Sequence, residues 1–348
     1  MIATLHQPGL QTTIQDAGRR GGRHLGLPQS GAADRVSLAL ANAVLGNPWD
    51  APALECTMTG PALEFEMDID FAIAGAEMDA RLNDEPVGGY RRIGAKPGDR
   101  LALGAAKAGA RAYIAFAGGV AGCAFFNSVS TYIPAGLGGL HGQALRAGDV
   151  LRSRNTDTMA PVDIPDALHP NFGHDWILRA TPGPDAEYFN PKTIEDFFST
   201  PFHADRRGDR MGLRLIGAKM PCEDTPPMKS SAMFPGTVQC PPDGAPILLG
   251  PDAQTIGGYR RIAQVIDADL PLIDPARRSD LVPAHQRANR KTDKFAAAKA
   301  DCLIYFRFQP SLTVAQFQPS LKRVGWPPSP HRTTRRAGRL TPHPSRSE

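Results

Sequence analysis

The sequence has no apolar run long enough to cross a bilayer, no closely paired cysteines and none of the common catalytic signatures. Each absence removes a class of function. The longest stretch without charge, 112–140, is interrupted by Asn127, Ser128, Ser130, Thr131, Pro134 and several glycines. A spanning helix needs roughly 20 mostly apolar residues, so no membrane partner is expected. The five cysteines (Cys56, Cys123, Cys222, Cys240, Cys302) are odd in number, far apart and never in a C-x-x-C pair. That argues against a disulfide framework and against a zinc site. The residues from Met1 to Arg20 lack a basic stretch followed by an apolar one, so no secretory signal is read and a reduced, cytoplasmic setting is expected.

Autonomous chemistry is missing too. There is no G-x-x-x-x-G-K-[ST] phosphate loop and no H-E-x-x-H zinc helix, and Ser30 lacks the G-x-S-x-G elbow. Gly136 to Gly142 approaches a dinucleotide fingerprint, but His141 occupies its final glycine position. The histidines are dispersed, and His169 with His174 reads as a loop pair, so no metal is expected.

Charge is present but unevenly placed. From Lys322 to Glu348 seven basic residues stand against one acid, a surplus of six, so residues 1–321 carry a net charge of −2 within a chain total of +4. The body of the protein therefore has no basic excess calling for nucleic acid.

What the chain has in abundance is turn residues, 35 Gly and 33 Pro among 348 residues, which favours short strands over long helices. Apolar runs between turn signals predict strands at Ala62–Phe65, Phe71–Ala74, Arg100–Leu103, Ala112–Ala117, Trp176–Ala180 and Pro246–Leu249. The phrases Lys96-Pro-Gly-Asp and Arg146-Ala-Gly-Asp look like hairpin connections. One helix is signalled after Asp34, with an apolar face of Val36, Leu40, Ala41, Val44 and Leu45 and a stop at Gly46. A second follows Pro191, where Thr193 to Asp196 has capping-box-like spacing.

The length implies two domains. Residues 1–154 read as an N-terminal β-rich half and 155–171 as a loose linker. Residues 172–273 form a C-terminal β-rich half, and 274–348 an atypical charged, then basic Pro/Arg-rich tail. Composition predicts that the tail is largely disordered, with a coding-frame artefact or a basic arm for an anionic partner as the other readings. Gly88-Gly-Tyr-Arg-Arg-Ile93 recurs as Gly257-Gly-Tyr-Arg-Arg-Ile262, an echo that would suit two related domains.

Unusual polar residues concentrate in one segment of each half. The first, Thr12–Asn47, combines Asp16, Arg19, Ser30, Asp34 and Asn42 with several glycines, and an arginine fork suits a carboxylate or phosphate. Asp34 serves equally well as a helix cap. The second, Arg210–Tyr259, combines Arg210 with Gln239, Asp252, Gln254, Thr255 and Tyr259 beside Gly257 and Gly258. This set suits amide or carboxylate recognition, although paired glycines also mark a bulge or tight turn.

The phrases T-T-I-Q-D-x-G-R, S-G-A-x-D leading to A-N and G-N, Glu55 followed by Thr59-Gly-Pro61, R-M-G-x-R-L and D-x-Q-T-x-G-G-Y follow one another in order from Gln7 to Leu272. Together they resemble the allophanate hydrolase subunit 2 family, also named KipA-like, biotin-dependent carboxyltransferase or C-type 5-oxoprolinase subunits. The resemblance implies a mainly β, cyclophilin-like β-barrel fold. It also implies two partners, an allophanate hydrolase subunit 1-like chain (the B-type 5-oxoprolinase chain) and a LamB/YcsF-like chain (the A-type), in a complex that opens 5-oxoproline to glutamate with ATP. Asp16 and Asp252 would then act as acid/base groups, Arg19 and Arg210 would contact anions, and Gln239, Gln254, Thr255 and Tyr259 would orient substrate. The alternatives are carboxyl transfer from biotin in a urea-type carboxylase, and a non-catalytic KipA-like regulator.

Departures from the family pattern occur in three places. Phe126 to Thr131 stands where relatives have G-S-R-S-T, so Val129 replaces an arginine; Gly142-Gln-Ala-Leu145 replaces G-R-x-L. After Ile273 the closing strand is missing from its usual place, with Tyr305 to Pro310 as its candidate replacement. The chain also lacks a biotin-attachment A-M-K-M and a Gly/Ser-rich amidase signature.

Overall fold

A computed structural model describes residues 1–273 apart from 156, 173–175, 206 and 223–226, together with the backbone of 303–304. The tail readings, His174, and the candidate strand from Tyr305 to Pro310 lie outside the described residues.

Short strands between turns dominate. The first half supplies β1 (Ala3–Gln7), β2 (Gln11–Gln15), β3 (Ala53–Thr57), β4 (Ala62–Phe65) and the long β5 (Ile69–Leu82). It continues with β6 (Glu85–Pro86), β7 (Ile93–Ala95), β8 (Arg100–Phe116) and β9 (Val150–Leu151). These form one antiparallel sheet in the order β2-β3-β8-β4-β1-β9, with β5 paired to β8 and carrying β6 and β7. The second half supplies β10 (Leu178–Pro182), β11 (His203–Ala204), β12 (Gly212–Ile216), β13 (Ser231–Ala232) and β14 (Thr237–Cys240). After them come β15 (Ile247–Leu249), β16 (Ile256–Gly257), β17 (Arg260–Val265) and β18 (Leu303–Ile304). Their main sheet runs β11-β12-β15-β14-β17-β10-β18, and β13 pairs with β16 apart from it. The expected class is correct: the molecule is mainly β, built on two curled half-barrel sheets.

Alternation along the strands explains the cores. In β2, β3 and β8 the residues Ile14, Leu54, Cys56, Ala112 and Ile114 point one way, into a core shared with Phe65, Phe71, Leu101 and Phe116. The second half has its own core around Leu178, Phe197, Phe202, Val238, Leu248 and Ile262. Burying one such side chain contributes about 1.5–3 kcal/mol, so each half has a stabilising centre of its own.

Among the described residues two α-helices decorate the sheets. In α1 (Arg35–Val44), the Asp34 carboxylate accepts from Val36 N and Ser37 N, both at 3.0 Å, and Gly46 follows with φ +71°. In α2 (Pro191–Ser199) the cap is Asn190, whose Oδ1 accepts from Lys192 N at 2.9 Å, and not the expected Thr193. Proline at the first helical position explains the shift, because its fixed φ starts the helix there.

Other expectations change in detail. The Lys96–Asp99 and Arg146–Asp149 phrases do make turns, each closed by an aspartate carboxylate on a backbone N–H. The strands they join are not hydrogen-bonded neighbours, since β7 pairs with β5 and β9 with β1. The segment read as a loose linker is packed. Met159 N and Val162 N donate to Gly46 and Ala43 carbonyls, Ile164 and Leu168 cover α1's cluster, and His169 stacks on Tyr90 at 4.1 Å. The Gly-Gly-Tyr-Arg-Arg-Ile echo has no structural counterpart: Tyr90 sits at φ +58° in a loop before β7, whereas Tyr259 leads directly into β17.

Candidate functional site

The opposite face of β2, β3 and β8 is apolar where α1 covers it, around Ala53 and Ala115, and polar where it turns toward the second half. In register, Thr13 faces Glu55, Glu55 faces Tyr113, Thr57 faces Arg111 and Gln15 faces Ala53. Residues directly opposite share a face, so these side chains form one buried polar layer. Glu55 is its centre and only 1% exposed. Its carboxylate accepts from Arg111 Nη1 at 3.0 Å, Tyr113 Oη at 2.8 Å and Ala33 N at 2.9 Å.

Arg210 reaches into this layer from the other half. Its Nη1 lies 2.5 Å from Glu55 Oε1, and its Nη2 donates to the Gly31 carbonyl at 2.6 Å. Nε and Nη2 also embrace Asp252, at 2.7 and 3.1 Å. One planar guanidinium thereby joins a strand of the first half, its glycine loop and an acid of the second half. Ser30 N donates to Pro251 O across the same seam. Burial works against the Arg210 charge, but Asp252 and Glu55 outweigh it and raise its pKa above the usual value. Burial likewise opposes the Glu55 charge, but Arg210, Arg111 and the Ala33 and Tyr113 donors hold its pKa below the usual range.

Arg19 lies beside this clasp, 1% exposed, with Nη2 donating to the Ser130 carbonyl. Burial lowers its pKa, opposed by the nearby charges of Asp252 and Asp16 and reinforced by Arg210. Tyr132 is also within reach: burial raises its phenol pKa, Asp252 adds to the rise and Arg19 opposes it. The two polar segments thus meet at one seam, with Arg19, Asp252 and Arg210 together.

The predicted residues separate in their surroundings. Asp16 is fully engaged, accepting from Gly18 N, Ser128 Oγ, Val129 N and Ser130 Oγ, and so anchors the 128–130 loop. Val129, at the family's arginine position, is buried against the first core. Asp34 caps α1. Asn42 is held by the Ala51 carbonyl and Asn47, in the turn after α1. In the second half, Gln239 Oε1 accepts from Gln254 Nε2 at 3.3 Å, and Thr255 is buried. Gly257 lies in β16, where a Cβ would come 3.0 Å from Met233; a Cβ on Gly258 would make only an ordinary contact with the Met228 carbonyl at 3.7 Å, and Tyr259 is exposed. Among the described residues no group of His, Cys, Asp and Glu could hold a metal ion.

Sequence reasoning did not assign Arg111, Tyr113, Ser128, Ser130 or Tyr132 to the site, and noted Glu55 only as part of the family pattern. A charged residue inside an otherwise apolar run was the available signal: Glu55 within Ala53–Thr57, and Arg111 within the run that ends β8.

Comparison with known proteins agrees with this architecture. A family profile described as carboxyltransferase domain, subdomain A and B, matches residues 25–282. The C-type 5-oxoprolinase subunit of Escherichia coli (strain K12) is 39% identical over 264 residues, covering 75% of this chain and 84% of that one. Its counterpart in Haemophilus influenzae is 36% identical over 266 residues, covering 75% and 83%. Among solved structures, the Kluyveromyces lactis urea carboxylase superposes with a TM-score of 0.75 at 30% identity, covering 79% of this chain but 27% of that larger protein. The chain belongs to the carboxyltransferase domain, subdomain A and B, family, as its ordered phrases from Gln7 to Leu272 indicated.

Proposed function

We propose that this chain is the C-type subunit of an ATP-dependent 5-oxoprolinase, a hydrolase complex that opens the lactam of 5-oxoproline to glutamate. The observation that carries the reading is 39% identity to the Escherichia coli C-type 5-oxoprolinase subunit across 84% of its length. The seam supports it chemically. An amide resists water because resonance strengthens its C–N bond, so opening it calls for donors aimed at the carbonyl oxygen and for exclusion of bulk water. Arg19 offers N–H donors in a buried setting, and Asp252 stands beside it as an acceptor.

ATP would supply the phosphoryl group that activates the lactam oxygen. In this chain the N-terminus of α1, where a phosphate could otherwise be cradled, is already filled by the Asp34 carboxylate. We therefore assign the nucleotide to the partner chains, one allophanate hydrolase subunit 1-like and one LamB/YcsF-like. This chain contributes the amide-facing side of the site.

A second reading, carboxyl transfer from biotin to an amide nitrogen, is favoured by the likeness to urea carboxylase. The two diverge in one assay. Reconstituted with the two partner chains, the protein should release glutamate from 5-oxoproline only when ATP is present. ATP-independent release, or none with a biotinylated carrier required instead, would remove the first reading.

A further inference from the structure

Several buried side-chain polar atoms without a hydrogen bond fall within one short segment: Gln15 Oε1, Arg19 Nε and Nη1, Arg23 Nη1 and Ser30 Oγ. Leaving such atoms unpaired costs about 1–3 kcal/mol each, so a concentration of them demands a reason. Gln15 and Ser30 are 0% exposed. Ser30 also holds φ +53°, a left-handed backbone uncommon outside glycine. Strain and an unpaired hydroxyl coincide at one residue, the pattern expected where a site is kept ready for a ligand.

The anchors of these groups lie side by side. Gln15 Nε2 donates to the Thr131 carbonyl and Arg19 Nη2 to the adjacent Ser130 carbonyl, so both side chains are pinned to one loop. Arg19 N donates to Gln29 O at 2.8 Å, which sets the Arg19 backbone alongside that of Ser30. Gly18 and Gly31 permit this approach, since a Cβ on Gly18 would meet the Ser30 carbonyl at 2.7 Å. Gln15 shares the polar sheet face with Glu55, which Arg210 ties to Asp252.

The open valences are complementary to an amide. Arg19 and Ser30 offer donors for a carbonyl oxygen, and Gln15 Oε1 is an acceptor for an N–H. Around Arg19 the formal charges already balance, Arg19 and Arg210 against Asp16 and Asp252, so a neutral group fits better than an added anion. We propose that Gln15, Arg19 and Ser30 form the recognition site for a neutral amide with its N–H and C=O on the same side, as in a lactam ring. Gln15, Arg19 and Ser30 are all buried, so a ligand reaches them only on local opening of the surrounding chain. This inference deepens the proposed function and rests on it for the identity of the lactam.

The test uses the reconstituted complex. Ser30→Gly removes the hydroxyl and relieves the backbone strain together, so it should raise the melting temperature of this chain while raising KM for 5-oxoproline about tenfold, the equivalent of one lost hydrogen bond. Arg19→Lys should raise KM further, and Gln15→Glu should weaken binding of 2-pyrrolidinone, a bare lactam probe, without comparable loss of folding. A purely structural role, with water filling the site, would leave KM and 2-pyrrolidinone binding unchanged in all three variants, and that result would overturn the proposal. Stronger binding of propionate than of 2-pyrrolidinone would overturn it as well, in favour of an anion site. If the wild-type complex releases no glutamate yet binds 2-pyrrolidinone through these residues, the function fails and the amide site stands.

Discussion

Arg210 carries more of the architecture than any neighbouring charge, because its guanidinium is shared among Glu55, Asp252 and the Gly31 carbonyl. Removing one partner of a buried ion cluster leaves the others uncompensated, which costs about 3–5 kcal/mol. Arg210→Ala should therefore lower the unfolding free energy in urea by about that amount. Arg210→Lys should recover only part of it, since an ammonium cannot reproduce the two-edged fork. A urea midpoint for Arg210→Ala equal to wild type would mean that the clasp contributes nothing. The arginine stood out in the sequence, within R-M-G-x-R-L, and so did Asp252, but their meeting with Glu55 and Gly31 did not, because these lie some 155 and 179 positions away from Arg210.

At the level of elements, α1 was the most legible. Its Asp34 cap, apolar stripe and Gly46 stop are local signals, and the helix runs between them from Arg35 to Val44. The alternative role of Asp34 as a ligand group gives way to geometry, as both carboxylate oxygens are used at the helix start, Oδ2 accepting from Ser37 Oγ at 2.6 Å. Asp34→Ala should cost about 0.5–2 kcal/mol and speed amide exchange in the first turn of α1, while Asp34→Ser retains most of the stability. Equal exchange rates in wild type and Asp34→Ala would contradict the cap. Strands such as β4 were legible for the same local reason. The extents of β5 and β8 were not, since Phe71–Ala74 and Arg100–Leu103 are only pieces of strands that continue across register shifts. A bulge keeps two strands paired while breaking the alternation a sequence reader relies on.

For the whole molecule, the buried acid at the seam sets a pH dependence. Glu55 has a lower pKa folded than unfolded, so as pH falls the unfolded chain takes up that proton first. Its contribution to stability is complete above the ordinary glutamate value of about 4.3 and is lost as pH falls from there through the folded pKa. Other carboxylates held low, including Asp185 beside Arg261, act in the same direction. Denaturant titrations from pH 6 to about pH 3 should show stability declining below about 4.3. The Glu55→Gln protein should show an acid limb shallower by about one proton, and superimposable limbs would exclude Glu55 as a source.

The sequence by itself determined the class of the protein, its turns, its helix signals and, through phrases spread along the chain, its family. All of these are written in local spacing or in order along the chain. Only the tertiary structure decided which polar residues meet. It brought Arg19 beside Asp252 and Arg210, committed Asp16 to the 128–130 loop, and turned the polar face of β2, β3 and β8 toward the second half. The physical reason is that buried charge is tolerated only where partners converge, and those partners come from both sheets and from loops far apart in sequence.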